Sequence, residues 1–348
     1  MSVRTESIVV CATSWVGDCV MSLPALREVR RLFPEQHLSL LARPWVAGIF
    51  EDQGIVDEII VTGIARPKLM NVLPSSRKIR HFHTALLFQN AFRAALTAWL
   101  AGIPRRIGYG TDGRSLLLTK RGQPRIKQLN RHQMYYYLDL LYQTGLSERD
   151  YLQDRDFEPN IRLRATKAAI LRARQLIGRH DKVNHRPLVL LNPGAFYGQA
   201  KRWFTDRYAA VADRLIEREQ ADVIIVGSSN EHRIAQEIQG LMKQVPTILT
   251  GRTDLPTLMG ILHECDLLIT NDSGPMHLAA ALGTAQIALF GSTDRVATGP
   301  FSPIAQVIHK HVECSPCLLR ECPIDLRCFS RIEVDEVFQA AQSFLSKR

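Results

Sequence analysis

Leu267-Leu268-Ile269-Thr270-Asn271-Asp272-Ser273-Gly274-Pro275-Met276-His277-Leu278-Ala279-Ala280-Ala281-Leu282-Gly283 reads as a strand, a tight turn and a helix in one short stretch. Leu267 to Thr270 runs apolar without a polar break, as strands buried on both faces do. Pro275 suits a first helical turn, where its missing N–H costs nothing, and Ser273 suits the cap before it. The free N–H groups and the dipole at that end attract an anion. Asn271 and Asp272 are placed to bind hydroxyls or to order the loop. His277 reads as a half-buried structural histidine rather than a catalyst.

The same strand–turn–helix unit recurs outward in both directions. Upstream, the spacing predicts strands at 8–13, 38–42, 58–61, 84–88 and 106–109, with amphipathic stretches at 22–33 and 91–101. After a polar, charge-rich segment at 150–186 the scheme starts again. Strands are expected at 188–191, 222–226, 247–249, 267–270 and 286–290, with helices at 164–177, 206–219, 230–243, 255–263 and 276–282. A last helix is expected at 334–345. Strand–helix alternation of this kind means parallel sheets with helices on both faces. The fold class is therefore α/β, as two Rossmann-like, doubly wound halves, with the boundary in the polar segment. In such folds ligands sit at the carboxyl ends of strands near a topological switch point, and two such halves imply a cleft between them.

Length and composition agree. A chain of 348 residues, 46% hydrophobic and 22% charged, suits two domains and is too apolar to be disordered. No apolar run reaches the ~18 residues that cross a bilayer, and the first residues lack the layout of a signal peptide. The expectation is a cytoplasmic protein without a disulfide framework, its seven cysteines reduced. The net charge of +10 is concentrated between residues 64 and 131, where fourteen Lys and Arg face one acid, Asp112. Such an excess suggests an anionic partner: a phosphorylated substrate, an anionic membrane surface or nucleic acid. A solvated basic face is the plainer alternative.

Four motifs could carry chemistry. Ser14-Trp15-Val16-Gly17-Asp18 follows the first strand without the G-x-G-x-x-G fingerprint or a Walker lysine, which leaves Asp18 as a helix cap or a functional carboxylate. Asn192-Pro193-Gly194-Ala195-Phe196-Tyr197-Gly198-Gln199-Ala200-Lys201-Arg202-Trp203 is a glycine-bearing loop with two cations. Gly194 lets backbone approach a phosphate, and Lys201 supplies charge. The Asp272 turn opens this section, and Phe290-Gly291-Ser292-Thr293-Asp294 repeats its design. Cys314, Cys317, Cys322 and Cys328 raise zinc or an iron–sulfur cluster, but their spacing fits neither, and structural thiols are preferred.

Taken together, SWVGD, NPGAFYGQAKRW and NDSGPMHLAAALG resemble the lipopolysaccharide heptosyltransferases over about residues 8–330, in that family's order and spacing. The resemblance implies a GT-B fold, two Rossmann-like domains facing across a cleft. Residues 1–163 would bind the acceptor and 164–332 the nucleotide sugar, with helix 333–348 packing back on the first domain. It implies inverting, metal-independent transfer of L-glycero-D-manno-heptose from ADP-heptose to the first heptose of a Kdo–lipid A core, without cofactor. Asp18 matches the family's general base, Lys201 its diphosphate lysine and Glu231 its ribose-binding acid. Asp272, Ser273 and Gly274 match its donor loop, with Gly194 and Ser292 beside it and Thr253 near the adenine. Trp15, Arg105 and Arg106 are expected to meet the acceptor at the inner face of the membrane. Phe204 departs from the family's proline. The rival readings are another donor or acceptor on the same fold, or a non-catalytic nucleotide or nucleic-acid binder, for which no binding motif appears.

Overall fold

Six strands, all parallel, build each half of the protein in the computed structural model. Residues 7–63, 68–126, 130–179 and 186–346 are described. The chain start read above, 64–67 and 127–129 of the basic stretch and 180–185 of the polar segment lie outside these. Two compact units divide between Ile161 and Arg162, inside the segment where the sequence puts the boundary.

In the first unit the strands are β1 (Ile8–Cys11), β2 (Leu38–Ala42), β3 (Glu58–Val61), β4 (Thr84–Leu87), β5 (Arg105–Tyr109) and β6 (Lys120–Gly122). Their order, β3-β2-β1-β4-β5-β6, reverses between β1 and β4. The second unit has β7 (Leu188–Asn192), β8 (Asp222–Ile225), β9 (Thr247–Ile248), β10 (Leu267–Asn271), β11 (Gln286–Phe290) and β12 (Ala305–His309). Its order is β12-β11-β10-β7-β8-β9, reversing between β7 and β10. The central strands β1, β7, β10 and β11 are buried throughout, as continuous apolar runs with helices on both faces require.

Buried apolar clusters hold each unit together. Val9, Cys11, Leu87, Ala95 and Ile103 pack together in the first, and Val189, Leu191, Ile269, Leu289 and Phe338 in the second. The last member comes from the C-terminal helix. Val334–Leu345 belongs to the second unit and packs against the helix Thr205–Glu219. Its apolar face buries Val337, Phe338 and Ala341, and each large side chain so buried is worth about 1.5–3 kcal/mol.

Candidate functional site

The switch point of the second sheet brings together most of the residues expected at the donor. The turn after β10 puts Asp272, 5% exposed, beside Lys201 from the loop after β7, with Nζ 2.7 Å from Oδ2. The same oxygen accepts from Thr293 Oγ1 at 2.7 Å and Thr298 Oγ1 at 3.3 Å. Lys201 is therefore not a loose surface cation. It is a nearly buried ammonium held by one carboxylate and flanked by the Tyr197 ring, 5.0 Å away. Ser273 stands at the cap of the helix Gly274–Leu282, yet its hydroxyl turns away to Asn192 Oδ1 at 2.8 Å. The first-turn N–H groups are thus left without a side-chain cap at the positive end of the helix.

Asn271 has a structural part that its sequence position leaves undecided. Fully buried, it donates Nδ2 to the Pro193 carbonyl at 2.7 Å and accepts from Trp203 N–H and Tyr208 O–H. One amide so ties both ends of the phosphate-type loop to β10. Glu231, after β8, accepts from Ser228 N–H and Oγ in a capping box that opens the helical stretch there. Its other oxygen lies against Gly194, where an added Cβ would come within 1.8 Å of Oε1. Any side chain at 194 would displace that carboxylate. The loop carrying Thr253 is joined to this place through Gly251 N–H, bonded to the Gly227 carbonyl at 2.9 Å. Ser292 is 1% exposed and its hydroxyl is buried without a partner.

In the first unit Asp18 lies in the first turn of the short helix Val16–Met21. The cap position belongs to Trp15, whose side chain caps nothing. Asp18 thus stands in the first turn rather than at the cap position, where its charge suits the dipole. Tyr137, on the helix Met134–Gln143 and almost fully buried, donates its hydroxyl to Asp18 Oδ1 at 3.1 Å. Burial, with Asp18 beside it, pushes the Tyr137 phenol well above its ordinary value, so it stays a proton donor in this bond. Ser14 is held from two sides, by Gln89 Nε2 on Oγ at 2.7 Å and by Trp45 Nε1 on its carbonyl at 2.9 Å. Arg114, fully buried, donates to the Gln89 carbonyl and to Asn90 Oδ1, which fixes the end of β4. Trp15 is 54% exposed at the same end of the sheet.

Arg105 and Arg106 are not at that end. The register aligns Ile8 with Thr84 and Thr84 with Arg105, so both arginines start β5 at the amino edge. About one strand length, roughly 10–13 Å, separates that edge from the end that carries Asp18. Arg106 is spent on the carbonyls of Leu117 and Ile103. The charge count points to them without saying which edge they occupy. Of the cysteines, Cys314 is exposed and Cys328 buried. Among the described residues no three His, Cys, Asp or Glu side chains are grouped to hold a metal. None of the described helices is long and apolar enough to cross a membrane.

Comparison with known proteins adds a family to this geometry. The family model "Glycosyltransferase family 9 (heptosyltransferase)" matches residues 76–327. The chain is similar to lipooligosaccharide heptosyltransferase 2 of Campylobacter jejuni, 26% identical over 95% of this chain and 96% of that one. It is 28% identical to lipopolysaccharide heptosyltransferase 2 of Escherichia coli over 86% of this chain and 87% of the relative. Among solved structures, E. coli ADP-heptose lps heptosyltransferase II superposes with a TM-score of 0.82 at 26% identity, covering 98% of this chain and 99% of that one.

Proposed function

The chain belongs to glycosyltransferase family 9, the heptosyltransferases, and on that premise we propose that it moves L-glycero-D-manno-heptose from ADP-heptose to the first heptose of a Kdo–lipid A core. It is a glycosyltransferase of lipopolysaccharide core biosynthesis. The observation that carries the donor assignment is Lys201 and the uncapped helix start at Ser273, converging at the β7/β10 switch point. When the glycosidic bond breaks, charge collects on the β-phosphate of the leaving ADP. A largely buried ammonium and a helix start without a side-chain cap are already placed to take it. Glu231 accepts the ribose hydroxyls, with Gly194 leaving room for that carboxylate, and the Thr253 loop lies by the adenine. Asp272 holds Lys201 in place and Ser292 lies beside its threonine partners.

Asp18 removes the proton of the accepting hydroxyl as it attacks an oxocarbenium-like sugar. Attack opposite the departing diphosphate in a single displacement inverts the anomeric centre. The acceptor is anionic and lipid-linked, so the basic charge of the first unit suits peripheral work at the inner leaflet of the inner membrane. Tyr137 acts as a positioning residue, because its hydroxyl bonds the carboxylate and not the sugar. Tyr137→Phe is expected to lower kcat by about tenfold to a hundredfold, the worth of about one hydrogen bond to a charged group. Without that donor the ionised carboxylate is less favoured, so the acid limb of the pH–rate profile should move to higher pH. A slower enzyme with an unmoved acid limb would assign Tyr137 to packing alone.

The donor is tested by offering ADP-heptose against UDP-, GDP- and CMP-sugars with a heptosylated core acceptor. ADP-heptose should exceed the others in kcat/KM by about two orders of magnitude or more, as expected when a nucleotide pocket discriminates by unpaired polar groups. Comparable transfer from another nucleotide sugar would overturn the assignment.

A further inference from the structure

The first unit contains a pocket that the reaction as described does not use. It is a half-open pocket with a cavity volume of about 40 Å³, at the carboxyl ends of β1 and β2. Among its described lining residues are two arginines and no acid. Arg43 directly follows β2 and is 8% exposed. It donates Nη1 to the Gly63 carbonyl at 2.9 Å and lies over the Trp45 ring at 5.8 Å. Arg93 sits in the first turn of the nine-residue helix Phe92–Leu100, whose start has no side-chain cap. Its Nε is buried with no hydrogen-bond partner, and so is Thr62 Oγ1 on the same wall. Burial and the neighbouring Arg93 together push the Arg43 guanidinium below its ordinary range.

Like charges on a poorly hydrated wall, with donors left unpaired, are unfavourable unless an anion completes them. A guanidinium fork fits carboxylate and phosphate oxygens side by side, and a helix start adds to the attraction. The wall is also continuous with the loop that holds Asp18. Gln89 lines the pocket and bonds Ser14 Oγ, and Trp45, beneath Arg43, bonds the Ser14 carbonyl.

We propose that this pocket is an oxyanion subsite for the acceptor, in which Arg43 and Arg93 grip a carboxylate or phosphate on the acceptor saccharide. The subsite fixes where the accepting hydroxyl stands relative to Asp18, and as an acceptor subsite it rests on the transferase reading above.

The test uses the full chain with saturating ADP throughout, so that the diphosphate site is filled. Inorganic phosphate and acetate are titrated separately while the melting temperature is followed, against chloride at equal ionic strength. A saturable rise with either is expected in the wild type, with half-saturation shifted about tenfold or more in Arg43→Gln and in Arg93→Gln. The effective probe identifies the group: phosphate for a phosphorylated acceptor, acetate for an acidic sugar. Without either probe both variants should be at least as stable as the wild type, because each removes a crowded buried charge. Arg93→Lys, which keeps the charge but loses the fork, should fall between. With ADP-heptose and a core acceptor, the Gln variants should raise the acceptor KM about tenfold, leaving donor KM unchanged and kcat within about threefold. No anion effect in the wild type, equal effects in the variants, or an unchanged acceptor KM would each overturn the subsite. Failure of wild-type transfer from ADP-heptose would instead overturn the functional reading, while the anion titrations would still decide the pocket.

Discussion

Lys201→Ala should both inactivate the enzyme and loosen its second unit, and a second substitution should separate these losses. Lys201 and Asp272 have side chains 14% and 5% exposed and pair at 2.7 Å. Removing the ammonium leaves a buried carboxylate supported only by Thr293 and Thr298. Breaking one side of such a pair costs about 3 kcal/mol. For a unit of this size that lowers its melting temperature by roughly 6–12 °C. Turnover should fall by about 10²–10³, the usual cost of losing one donor to developing anionic charge. In Lys201→Ala/Asp272→Asn the stranded charge is gone, so calorimetry should show most of the lost stability restored. Activity and ADP affinity should stay low, because no cation remains for the diphosphate. Restored activity in the double variant would mean that Lys201 matters only as the counterion of Asp272. Unchanged ADP affinity in the single variant would sink its phosphate role.

That pairing also marks where sequence reading stops. The β10 turn was legible, because an unbroken apolar run ending in Asn-Asp-Ser-Gly-Pro allows little besides a buried strand feeding a helix. The partners of Asp272 were not. Thr293 and Thr298 lie more than twenty residues away, and only the sheet order β11-β10-β7 brings them and Lys201 to one oxygen. The short edge strand β6, Lys120–Gly122, has no apolar pattern to betray it, and β12 is half exposed along its length. Arg105 and Arg106 show the converse failure. Charge density is read from composition, but the edge of a sheet on which a charge sits is set by register. Nothing in the local sequence marks Tyr137 as a partner of Asp18. Its tie to Asp18 spans 119 positions and needs the helix Met134–Gln143 laid against the first one.

Asp18→Asn is expected to give a folded, donor-binding and nearly inactive enzyme. The carboxylate stands in the first turn behind the Trp15 cap position, and Asn keeps a side-chain oxygen there that accepts hydrogen bonds as the carboxylate does. The Asn side-chain oxygen can still accept the Tyr137 hydroxyl bond that Oδ1 accepts now. What is lost for stability is a favourable charge near a helix start, worth about 0.3–1 kcal/mol. What is lost for chemistry is the group that takes the acceptor proton, and kcat should fall by about 10²–10⁴. Donor affinity should be unchanged, because Lys201, Glu231 and Asp272 belong to the other unit. Asp18→Ala separates the terms further. It also strands the buried Tyr137 hydroxyl, which costs about 1–3 kcal/mol, so it should melt earlier than the Asn variant while being no less inactive. Steady-state kinetics beside ADP binding and thermal melting reads all three quantities. An Asn variant turning over near the wild-type rate would remove Asp18 from proton transfer. The base would then have to be sought among the other polar groups at the carboxyl ends of β1 and β4.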